Sequence, residues 1–102
     1  MSANPWRGEA GLALGMGSFV LRPSFTALVA AEAELGPLFA LVDRAAEGRL
    51  SLSEMVALFW HCLHPAPPAV DRAQFAQGVV EAGLVGVTPA LKVLIGQILQ
   101  GQ

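Results

Sequence analysis

The sequence predicts a helix-dominated α+β fold: one N-terminal β-hairpin packed on about five short α-helices. Three observations predict it. Apolar and polar residues alternate only before Pro23, whereas after Pro23 the apolar residues recur at helical spacing between cap and stop residues. The composition is 54% hydrophobic and 14% charged, against about 25% charged in ordinary globular chains, so there is ample material for a core. At 102 residues the chain fits a single domain, 1–102, which on folding buries roughly two thirds of the surface an unfolded chain exposes.

The hairpin is placed at about 8–22. Glu9, Gly11 and Ala13 interleave with Ala10, Leu12 and Leu14, then Gly15-Met16-Gly17 interrupts before Phe19, Val20 and Leu21. Gly15 or Gly17 can supply the positive φ of a tight turn, and neither makes the Asn-Gly or Asp-Gly pair that would fix the turn type. A two-stranded hairpin is marginal alone and has to lie on something apolar.

Five helices follow. In the first, 24–35, Ser24 caps a face of Phe25, Leu28 and Leu35 that stops at Gly36. Pro37 opens the second, 37–47, with Leu38, Leu41, Val42 and Ala45 on one face and Gly48 just past its end. Ser51 with Glu54 makes a capping box for the third, 52–64, in which Leu52, Met55, Val56, Leu58, Phe59, Trp60, Cys62 and Leu63 surround the helix. That segment is the expected centre of the core. Pro65-Ala66-Pro67-Pro68 is a stiff connector. Asp71 with Gln74 caps the fourth, 71–83, which carries Phe75 and Val79. After a loop at 84–87, Thr88 and Pro89 open the fifth, 89–100, with Leu91, Leu94, Ile95, Ile98 and Leu99 on one face.

Six Lys and Arg against eight Asp and Glu give a net charge of −2, the wrong balance for a nucleic-acid binder. The most apolar stretch, 78–99, is broken by Glu81, Lys92 and Gln97, so no membrane span is expected. The N-terminus lacks the basic flank and apolar core of a signal peptide. A lone Cys62 provides neither a disulfide framework nor a four-cysteine zinc site and suits a reducing cytoplasm.

The most specific chemical pattern is the run 43–54. A calcium-binding EF-hand loop places oxygen ligands at its first, third, fifth, ninth and twelfth positions and Gly at the sixth. Asp43, Glu47, Ser51 and Glu54 match with Gly48, but Ala45 supplies no oxygen. Helix capping explains the same residues without metal. His61, Cys62 and His64 crowd too closely on one helix to meet at a single ion. No nucleophile elbow and no phosphate-binding glycine loop occurs, so no enzymatic activity and no cofactor is expected.

The order of features resembles a known family. Asn4-Pro5-Trp6-Arg7-Gly8-Glu9 before a short hairpin, Leu21-Arg22-Pro23-Ser24-Phe25-Thr26-Ala27-Leu28, Glu34-Leu35-Gly36 and Leu58-Phe59-Trp60-His61-Cys62-Leu63 are similar to the small tail-assembly proteins of gene transfer agents and siphophages. The likeness covers residues 4–63, with 66–102 resembling a more variable extension. It implies a non-enzymatic tail assembly chaperone in the bacterial cytoplasm, with a tape-measure or tube protein as partner and self-association as a further option. The alternative it implies is a structural tail tube or connector subunit. Scarce charge points to an apolar contact surface, for which Trp6, Phe19, Leu21, Leu91, Leu94, Ile95 and Ile98 are the candidates.

Overall fold

Two strands and five helices follow in the order β1 (Ala10–Leu14), β2 (Gly17–Leu21), α1 (Phe25–Leu35), α2 (Leu38–Ala46), α3 (Leu52–Cys62), α4 (Arg72–Ala82) and α5 (Leu84–Gln100). They are seen in a computed structural model that describes residues 9–65 and 69–100. The expected helix-dominated α+β architecture is the one observed.

β1 and β2 pair antiparallel, in register from Ala10 opposite Leu21 to Leu14 opposite Gly17. Period-two alternation buries Ala10, Leu12 and Leu14 and leaves Gly11 and Ala13 exposed. Of the two candidate turn glycines it is Gly17, at φ 147°, that has the positive φ. At the open end of the hairpin, Arg22 Nε donates to Glu9 Oε2 at 3.0 Å. The chain leaving α3 then pairs with β2: Arg22 N–H donates to the Cys62 carbonyl at 2.7 Å and His64 N–H to the Val20 carbonyl at 2.9 Å. This stitch satisfies a carbonyl that a helix end otherwise leaves without a partner.

α3 is the core helix, with Met55, Val56, Ala57, Leu58, Phe59 and Cys62 buried. α1 and α4 pack on it, β2 touches it, and α4 and α5 cover β1. The hairpin tip reaches α4 at Gly78, where an added Cβ would meet Met16 Cε at 2.5 Å. Trp60 is half-buried, its ring centroid 5.7 Å from that of the enclosed Phe75.

Two expectations are corrected. Phe25 is 84% exposed and α1 buries Ala27 and Ala31 instead. Those two alanines, one helical turn apart, let α1 lie close to α3, and Phe25, two positions before Ala27, projects from the opposite side. α5 begins at Leu84 rather than Pro89, so the expected 84–87 loop is its first turn and Pro89 lies inside the helix. Burial drives this: Val87, Ala90 and Leu94 form its buried line, which needs Val87 to be helical. The carbonyl that Pro89 leaves without a helical partner belongs to Val85, a residue 89% exposed, where water can take the bond. Thr88, expected as a cap, instead donates its Oγ1 hydrogen to the Leu84 carbonyl at 2.6 Å. Residues 66–68 of the expected stiff connector lie outside the described residues.

Candidate functional site

The charged side chains are largely committed to one another. Glu34 on α1 accepts from Arg72 Nη1 on α4 and faces His61 Nε2 on α3, each at 2.8 Å. Hydrogen bonds from Arg72, then from His61, hold its carboxyl well below the usual range, at about 2. Arg44 grips Glu54 at 2.7 Å, and Arg49 grips Glu47 at 2.7 Å. The Arg44 hydrogen bond, helped by the Ser51 backbone N–H, also lowers Glu54 to about 2.

Three residues of the EF-hand-like run, Glu47, Ser51 and Glu54, are therefore occupied otherwise. The Ser51 hydroxyl accepts from Glu54 N–H at 3.2 Å, and Ser51 N–H donates to Glu54 Oε1 at 3.0 Å, closing the capping box. Glu54 is thus turned to Arg44 and Ser51, Glu47 faces Arg49, and Asp43 is exposed. Among the described residues no three His, Cys, Asp or Glu side chains gather where they could hold a metal ion. His61 is turned to Glu34, His64 is exposed, and Cys62 is wholly enclosed, burial pushing its thiol up to about 12.

What remains open is apolar. A cleft of about 530 Å³ lies between the α2–α3 turn and α5. Ala45, Ala46, Gly48, Leu50, Leu52 and Met55 form one wall, and Leu84, Leu91 and Ile95 of α5 the other. Leu84, Thr88, Leu91, Lys92 and Ile95 fall on one stripe of α5 by the helical spacing. Two of the three polar side chains in the lining, Ser51 and Thr88, already bond local backbone. The third is Lys92, the one Lys or Arg among the described residues without a carboxylate partner. A second hollow, of about 460 Å³, runs between Leu52 and Val56 of α3 and Ala73, Ala76 and Val80 of α4. Leu52, 43% exposed, separates the two and borders both.

The candidate contact residues divide. Leu91 and Ile95 line the cleft, and Ile98, half-buried, packs against the core. Phe19 is half-buried, its ring edge-on to Phe75 at 5.6 Å. Leu21 and Leu94 are corrected: both are 0% exposed, because Leu21 sits under the α3 exit and Leu94 on the buried line of α5, so they serve the core and cannot meet a partner. Trp6 lies outside the described residues. Sequence reasoning missed Leu52, Leu84 and Lys92. The signal was present for α5, where Leu84, Thr88, Leu91 and Ile95 share one helical stripe once the helix is begun at residue 84. Leu52 sits among apolar residues on every face of α3, and periodicity alone cannot mark it as the open one.

Among the described residues no single helix is long and apolar enough to cross a membrane. A family model described as phage tail tube protein, GTA-gp10, matches residues 7–101. No curated protein and no solved structure matches the chain.

Proposed function

The chain belongs to the GTA-gp10 family of phage tail tube proteins, and from that premise we propose that it serves tail building as a non-enzymatic chaperone in the cytoplasm of the producing bacterium. It holds an apolar segment of an unassembled tape-measure or tube protein, keeps that segment from aggregating, and leaves before the particle matures. The observation that carries this reading is the open apolar cleft between the α2–α3 turn and α5, beside a filled core. The ion pairs beside it support a binding role over catalysis, since Glu47 and Glu54 already face a base or a cap.

The description of the family favours a second reading, a permanent tube or connector subunit that meets copies of itself or other tail proteins. Mass analysis of purified particles separates the two. A chaperone is absent from finished particles, while deletion of its gene leaves them tailless. Recovery of the chain at a few copies per tube ring makes it structural instead.

A further inference from the structure

Resting on the binding role just proposed, we infer that the occupant of the α2–α3/α5 cleft is an amphipathic helical segment of another protein, carrying a carboxylate within about one turn of its apolar anchors. The charge around the cleft argues for it. No acid lies in the lining, and Glu47 and Glu54 beside the α2–α3 turn are matched by Arg49 and Arg44. Lys92 is left as the uncompensated charge of the lining, exposed among Leu91, Ile95 and Leu84. A carboxylate on the occupant pairs with that exposed ammonium at the edge of the cleft and fixes the register of the helix, a contact that a segment without an acid cannot make. The shape argues for it too. At about 530 Å³ the cleft is far larger than one side chain needs, and one wall is a helical stripe, the arrangement in which a helix laid in a groove inserts anchors at i, i+3 or i+4, and i+7.

The test is a selection of helical peptides of about four turns, randomised on one face, against the full chain, with Leu91→Asp as the counter-target. Lys92 is exposed and Leu91 half-buried against the core, so thermal melts check that Lys92→Glu and Leu91→Asp stay folded. The expected binders contact the wild-type chain, lose binding to Leu91→Asp, and carry Asp or Glu at one position beside their apolar anchors. Replacing that acid by Lys weakens them about tenfold or more, and on Lys92→Glu the preference reverses to Lys or Arg. Binders without an acidic preference, or with the same preference on Lys92→Glu, overturn the inference. So does concentration-dependent dimerisation abolished by Leu91→Asp, which assigns the cleft to a second copy of the chain. If the chain is resident in mature tails yet selects acidic helices, the chaperone reading fails and this inference stands. If particles lack the chain but no acidic preference emerges, only the inference fails.

Discussion

Exposure, more than side-chain chemistry, decides what each aromatic residue contributes. Phe59 is wholly enclosed at the centre of α3, so removing its ring forfeits burial and leaves a cavity among Leu58, Cys62 and their neighbours. Phe59→Ala is expected to cost about 3 to 5 kcal/mol in a urea melt. Phe25 is equally aromatic but 84% exposed at the start of α1, and Phe25→Ala is expected to stay within about 0.5 kcal/mol of wild type. The two melts together test the assignment of faces: a loss above about 2 kcal/mol at Phe25 would put that ring in the core and reverse the reading of α1.

At the scale of elements, the turn between α2 and α3 serves two designs that the same residues could encode. The capping box of Ser51 and Glu54 and the Arg44–Glu54 pair are formed. A calcium ion would have to take Glu54 from Arg44 and Ser51, and it would find a methyl group at Ala45 where an oxygen is needed. Calorimetric titration is therefore expected to show no calcium binding tighter than millimolar, and micromolar binding lost in Glu54→Gln would overturn that. The caps were the most legible feature of this chain, because Ser24, Ser51 with Glu54, and Asp71 with Gln74 are local patterns that need no tertiary partner, and all three form. The fold class was legible for a similar reason: alternation gave way to helical spacing at one place, Pro23. What stayed hidden depends on which neighbour an element meets. Propensity places Pro89 at a helix start, but the burial of Val87 extends α5 back to Leu84. The same step decides part of the candidate site, since Leu84 of the cleft stripe lies in the turn that a helix start at Pro89 excludes. Leu21 and Leu94 carry the same lesson, being indistinguishable by residue type from Leu91 and Ile95, which border the opening.

At the scale of the molecule, charges act as cross-links between elements, and Glu34 joins three helices, meeting His61 of α3 and Arg72 of α4 from the end of α1. Its carboxyl is held at about 2, below the ordinary 4.5, with the Arg72 hydrogen bond as the leading cause. Folding therefore favours the ionised form. The stability this contributes is fully present above the ordinary value and is lost as pH falls from about 4.5 through about 2. Glu34 is 38% exposed and Arg72 40%, so solvent screening holds the contribution to about 1 kcal/mol or less. Glu54, lowered in the same direction by Arg44, adds to the acid sensitivity, but through the local α2–α3 turn. Urea midpoints followed from pH 7 to pH 2 are expected to fall most steeply below pH 4.5, and Glu34→Gln is expected to start lower at pH 7 and fall less. Because Glu34 ties α1 to α4 across α3, its replacement is also expected to raise hydrogen exchange at both helices together, whereas Glu54→Gln raises it at the α2–α3 turn alone. Parallel pH curves for wild type and Glu34→Gln, with exchange unchanged in α4, would mean that apolar packing on α3 holds these three helices and the ion pair merely decorates their surface.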